Sequence, residues 1–131
     1  MITRDEIRRI PELHKSIERD KKTLLFLREK ATCIPSTITD QERVQTSHSN
    51  HGNKYVEEAV DLSKEIREKE GELMRLQRQA KSFISTVEDP LARKILKLRY
   101  LKCYTWDEVA EISGYDVRWC KRIEFNIIIE L

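Results

Sequence analysis

Glycine, proline and aromatic residues are scarce in this 131-residue chain. It contains only three Gly and three Pro, and aromatic residues make up 7% of it. Sheets and tight turns depend on these residue types, whereas the high charged fraction of 37% suits long helices with solvated faces. The composition therefore predicts an all-α protein.

The chain also lacks long apolar runs and a paired set of cysteines. No segment approaches the roughly 18 apolar residues of a membrane span, and no secretory apolar region precedes the three cysteines, Cys33, Cys103 and Cys120. An odd number of widely spaced cysteines does not indicate a disulfide framework. We expect a cytoplasmic protein with no membrane partner.

Signatures of catalysis and of cofactor binding are missing as well. The sequence has no glycine-rich phosphate loop and no recognisable nucleophile motif. His48, His51 and Cys33 stand in one polar tract, but no fourth ligand has the spacing of a zinc site. We therefore expect no metal, no cofactor and no enzymatic activity.

Residues 1–87 carry the pattern of a helical hairpin. Thr3 and Glu6 form a capping box, and apolar residues then recur at coiled-coil spacing, with Pro11 expected to kink or restart the helix so that it runs from about Pro11 to Ala31. The polar tract 33–53 has no apolar period and predicts a flexible loop. The period returns from Tyr55 to Val87, which predicts a long second helix.

The two helical patterns can pair in one of two ways. They can fold back as a long antiparallel, coiled-coil-like hairpin, or they can pair with a second chain. Each pattern has one polar intruder, Asp20 or Lys69, and folding the hairpin at residues 43 and 44 brings the two within about one turn of each other. An ion pair that fixes the register and chance placement both fit this pattern.

The pattern of residues 88–131 predicts a separate three-helix module. Asp89 can cap a helix that ends near Lys102, and a second capping box at Thr105 starts a very short helix. Gly114 can end this helix in the left-handed conformation, after which Asp116 can cap the last helix. A short helix, a turn with Gly and a longer helix make a helix-turn-helix unit, which either reads DNA or serves as a compact helical corner.

Three basic residues favour DNA as the partner. On the last helix, Cys120 and Ile123 point inward, whereas Arg118, Lys121 and Arg122 share the outward face. The alternative for these three residues is an ordinary solvated basic face.

The same segment resembles a known family. Residues 93–131, RKILKLRYLKCYTWDEVAEISGYDVRWCKRIEFNIIIEL, resemble the promoter-reading fourth region of bacterial sigma factors. The whole layout is similar to the sigma-like late-gene activators of the ArpU and RinA type, which phages and prophages of Gram-positive bacteria encode. The resemblance implies double-stranded DNA and host RNA polymerase as partners, in the cytoplasm of the bacterial host. It implicates the following residues in DNA binding: Val117, Arg118, Trp119, Lys121 and Arg122.

One departure from the sigma pattern affects the short helix of the motif. Ser113 stands where the sigma pattern usually has a buried Leu, and Ile112 comes one place early. We expect the end of this helix to be rotated or frayed.

The charge of the module indicates that its phosphate contacts alone do not supply enough affinity for DNA. Residues 88–131 contain eight Lys or Arg and eight Asp or Glu, so a monomer has few phosphate contacts. A homodimer formed through the hairpin, or docking on polymerase, would supply the missing affinity. The competing hypothesis is a helical oligomer or adaptor, with a packaging or structural role in a phage, whose terminal module makes protein contacts.

Three apolar residues near the C-terminus are candidates for an interface. Phe125, Ile128 and Ile129 lie beside the inward stripe of the last helix, and a 44-residue module does not easily bury them alone. We expect them to pack on the hairpin or on a second subunit. The alternative is a wider internal core formed with Leu91 and Leu98.

Overall fold

A computed structural model describes the backbone of residues 2–37 and 46–131 and the side chains of residues 2–31 and 54–131. Within these ranges the protein is all-α, as the sequence predicts. The helices are α1 (Arg4–Thr37), α2 (Thr46–Ile84), α3 (Pro90–Leu96), α4 (Trp106–Ser113) and α5 (Val117–Ile128), and a π-helical turn (Lys97–Leu101) continues α3.

Helix α1 begins at the predicted capping box and runs through Pro11. The amide of Glu6 donates to Thr3 Oγ1 over 3.2 Å, and Glu6 Oε1 accepts from the amide of Thr3 over 3.0 Å. The predicted restart at Pro11 is wrong, because the helix is continuous from Arg4 to Thr37, and the kink at Pro11 stays a prediction. Ile7 and Ile10 are fully buried in the turn before Pro11. We attribute the tolerance of a residue that costs a helix about 3 kcal/mol to this packing.

Both long helices extend into the tract that the sequence predicts to be a loop. Residues 33–37 belong to α1 and residues 46–53 to α2, so the prediction of a loop over 33–53 is wrong at both ends. Extending an existing helix needs no new nucleation, and polar residues such as Ser and Thr cost it only about 0.5 kcal/mol each relative to Ala. Residues 38–45, over which the loop prediction remains, lie outside the described residues.

Contacts divide the chain into two compact units, of which one contains Ser16–Glu70. In this unit α1 and α2 bury Ile17, Leu27, Ala59 and Ile66. The amine of Lys69 lies 2.6 Å from Asp20 Oδ2 and donates to Ser16 Oγ over 2.8 Å. The ion pair that the sequence left open is thus present in the seam.

The other unit combines Met1–Lys15 with Gly71–Leu131. Its main core consists of buried residues from α1 and the residues just before it, from α2, from α3 with its π-helical turn, and from α5: Ile2, Ile7, Ile10, Leu76, Ala80, Ile84, Leu96, Tyr100 and Ile128. A second core, made by Ile95, Val109 and Cys120, joins α3, α4 and α5. The helix-turn-helix module therefore packs on the first turns of α1 and the last turns of α2. The predicted domain boundary between residues 87 and 88 stays a prediction.

A glutamine of α2 binds the end of the π-helical turn. Gln77 Nε2 donates to the carbonyls of Tyr100 and Leu101 over 3.0 and 3.3 Å. The last carbonyls of a helix have no partner within the helix, so this amide satisfies two of them. Gln77 thus fixes the point at which the chain turns from α3 towards α4.

Candidate nucleic-acid interface

Helix α4 has the predicted caps and a regular last turn. Thr105 and Glu108 form the capping box, and Gly114 ends the helix with a φ of 84°, in the left-handed region that favours glycine. The expected rotation or fraying at Ser113 is wrong. Ser113 Oγ donates to the carbonyl of Ala110 and lies 3.4 Å from Cys120 Sγ, while Ile112 is exposed. A serine thus faces α5, and the helix keeps its register.

Helix α5 has a capped start and distinct buried and exposed sides. Asp116 caps it by accepting from the amide of Trp119 over 3.0 Å. Its inward stripe is Cys120, Glu124 and Ile128, at four-residue spacing. Val117 is half-buried, whereas the other four residues implicated in DNA binding are exposed: Arg118, Trp119, Lys121 and Arg122.

A buried hydrogen bond fixes α5 against the π-helical turn that continues α3. The hydroxyl of Tyr100 donates to Glu124 Oε1 over 2.6 Å, and Glu124 is only 6% exposed. Burial, together with the hydrogen bond to Glu124, raises the pKa of Tyr100 well above its usual range. Sequence reasoning missed this pair, because glutamate is almost never fully buried unless it is paired. Its position midway between Cys120 and Ile128 on the inward stripe was the available signal.

An arginine connects the π-helical turn to the start of α4. The guanidinium of Arg99 lies 4.9 Å from the ring centroid of Trp106 and donates to the carbonyl of Tyr104 over 2.9 Å. A cation over an indole face is attracted by the ring quadrupole, which stabilises the pair by about 0.5–1 kcal/mol at exposed sites. The contact holds the connection between α3 and α4 in place.

The first turns of α1 lie along one flank of α5. Arg4 Nη2 donates to the carbonyl of Ile129 over 2.7 Å at the end of α5. Further along, an open groove with a volume of about 460 Å³ lies between the two helices and is also bordered by the π-helical turn and by the start of α4. We call it the flanking groove, and its lining includes Arg8, Glu12, Arg99, Lys121, Glu124 and Phe125.

The three residues of the predicted interface have different environments. Ile128 is fully buried in the main core with residues of α1 and α2. Phe125 and Ile129 are 49% and 46% exposed. An interface made by these two exposed residues stays a prediction.

Cys103 and Cys120 are the cysteines whose side chains the structure describes. Cys120 is buried, and burial raises the pKa of the Cys103 thiol, which disfavours the reactive thiolate. The side chains of Cys33, His48 and His51 lie outside the described residues. Among the described side chains no group of three potential metal ligands occurs, and no helix there is long and apolar enough to cross a membrane.

Comparisons with protein-family models, with curated proteins and with solved structures gave no significant match.

Proposed function

We propose that this chain is a sequence-specific DNA-binding regulator that places α5 in the major groove. One arrangement carries the proposal. Helix α4, the left-handed Gly114 and the capped α5 form a helix-turn-helix whose inner contacts are Val109 and Cys120. The outward side of α5 then presents two arginines, a lysine and a tryptophan to a partner.

The side chains on this face suit the edges of base pairs. Arginine binds guanine through two parallel hydrogen bonds, and lysine donates to the same acceptors. Trp119, which is 44% exposed, offers an apolar surface for a thymine methyl group or a sugar. Because Asp116 and Gly114 fix the start of α5, these side chains project from a rigid element, as specific readout requires.

The assignment of regulated genes and protein partners rests on the resemblance to sigma-like phage activators. We propose that the chain acts on phage or prophage genes and works with host RNA polymerase. Because residues 88–131 have no net charge, a single module gains little from counterion release. A homodimer would combine two such modules, and the unit Ser16–Glu70 exposes apolar side chains available for that contact: Leu25, Phe26, Val56 and Val60.

The test of this function is binding to duplex fragments of a phage genome over a series of salt concentrations. The wild-type chain should bind a small subset of fragments, and affinity should fall as salt rises. A variant with Arg118, Lys121 and Arg122 replaced by alanine should keep its circular dichroism spectrum and lose this binding. Equal binding to all fragments, or unchanged binding by the triple variant, would contradict the proposal.

The second candidate is a helical oligomer or adaptor with a role in phage assembly. The exposed Phe125 and Ile129, which are four residues apart along the last helical segment, favour it, since exposed apolar patches mark protein contacts. Light scattering of the wild type and of a variant with serine at both positions separates the two functions. For an adaptor, the assembly mass measured by light scattering should be lower in the variant than in the wild type. An adaptor should also show no preference among DNA fragments.

A further inference from the structure

We infer that Arg8 of α1 and Lys121 of α5 bind the phosphate backbone beside the major groove, whereas base reading falls to Arg118 and its neighbours on the outer side of α5. This inference rests on the proposed function and adds α1 as a second DNA-binding element. It also changes the role of Lys121 from a base contact to a backbone contact.

Helix α1 is fixed against α5 at two levels. Arg4 binds the carbonyl of Ile129 over 2.7 Å, and Ile7 and Ile10 share a core with Ile128. All three isoleucines are fully buried. The backbone of α1 near Arg8 therefore cannot move away from α5 without opening this core.

The width of the major groove decides where α1 lies on DNA. The groove is about 12 Å wide and an α-helix with its side chains measures about 10–12 Å across, so one helix fills it. If α5 enters, a second helix packed along its flank lies over the groove wall. That wall is the sugar-phosphate backbone, so side chains of α1 that face this flank meet phosphates.

The position of Lys121 around α5 places it on the same side. Lys121 and Arg118 are three residues apart, which separates their directions by about 60° on a helix. Lys121 borders the flanking groove together with Arg8, while Arg118 does not. The two cations of α1 and α5 therefore face one strand of the duplex, and Arg118 faces the base pairs.

The charges at the flanking groove favour an anion. Among the described side chains, Arg8 and Lys121 form no ion pair, in contrast to the neighbouring Arg9, which binds Glu72 over 2.9 Å. Glu124 at the groove is buried and accepts a hydrogen bond from Tyr100. Glu12 is the one exposed acid there, and it opposes binding of a phosphate.

The salt dependence of binding tests this assignment. Fluorescence anisotropy is measured on a duplex that the wild-type chain prefers and on a scrambled duplex, from about 50 to 300 mM salt. Arg8→Ala and Lys121→Ala should each weaken binding to both duplexes about three- to tenfold and reduce the slope of log K against log salt by about 0.9. The ratio of the two affinities should stay at its wild-type value. Arg118→Ala should lower that ratio instead.

Three further variants serve as controls. Arg9→Ala should keep the wild-type slope, and Arg8→Lys should restore it, because lysine supplies the same charge. Glu12→Gln should strengthen binding to both duplexes.

The inference is overturned if Arg8→Ala has the same slope as Arg9→Ala, or if Lys121→Ala lowers the affinity ratio as Arg118→Ala does. A wild-type chain that does not distinguish the two duplexes would instead refute the proposed function, and the inference with it.

Discussion

Replacing Tyr100 by phenylalanine tests whether the buried hydrogen bond to Glu124 holds α5 in place. The substitution keeps the ring and removes only the hydroxyl that donates to Glu124 Oε1 over 2.6 Å. Glu124, 6% exposed, then loses a donor that water cannot fully replace. Hydrogen bonds to charged groups stabilise proteins by about 1.5–3 kcal/mol, so we expect the free energy of unfolding to fall by about that amount.

Urea unfolding followed by circular dichroism measures this loss. Tyr115→Phe is the matched control, because Tyr115 is exposed in the turn between α4 and α5, and it should change the free energy of unfolding by less than about 0.5 kcal/mol. Equal effects of the two substitutions would show that the Tyr100 hydroxyl contributes nothing and that another contact fixes α5.

The pH dependence of stability gives a second readout of the same bond. The pKa of Tyr100 is raised above the value of 10.0 for a free tyrosine, because burial and the bond to Glu124 favour the neutral hydroxyl. Its contribution to stability is therefore present below pH 10 and is lost as the pH rises above the pKa of the unfolded chain. The difference in stability between wild type and Tyr100→Phe should shrink above that pH. A difference that stays constant up to pH 11, about one pH unit above the pKa of tyrosine in the unfolded chain, would contradict this.

Five more substitutions have expected outcomes that urea unfolding can check. Ile128→Ala should lower the free energy of unfolding by about 2–5 kcal/mol, because the side chain is fully buried. Ile129→Ala should lower it by less than about 0.5 kcal/mol, and equal losses would refute the packing of α5 on α1 and α2. Gly114→Ala should destabilise by about 1–2 kcal/mol at a φ of 84°, while Gly71→Ala, inside α2 with no atom near the added methyl, should stabilise by up to about 1 kcal/mol. Lys69→Met removes the amine that binds a carboxylate and a hydroxyl in the seam, and should lower the free energy of unfolding by about 1–3 kcal/mol. No loss would show that the ion pair of Lys69 and Asp20 does not stabilise the fold.

Local rules predicted the caps and turns of this protein well. Both capping boxes, the caps at Asp89 and Asp116 and the left-handed Gly114 are all present. Each depends on residues within four positions of one another, so the sequence contains the necessary information.

Features that depend on distant residues were harder to predict. Pro11 and the polar ends of the interhelical tract indicated breaks that packing and helix propagation overcome. Ile7 and Ile84 were missed as core residues because their burial depends on how the module packs on the hairpin. Glu124 and the flanking groove were missed for the same reason, since Tyr100, Arg8 and Lys121 come together only in the folded unit.

The most direct test of the central claim is a selection from randomised DNA duplexes, sequenced after several rounds of binding to the wild-type chain. The claim that α5 reads the major groove predicts enrichment of a short motif, with an affinity at least about tenfold above that of a scrambled duplex. Arg118→Ala should bind the motif and the scrambled duplex with more nearly equal affinity. Failure to enrich any motif, or the same preference for the motif in Arg118→Ala and wild type, would contradict the account.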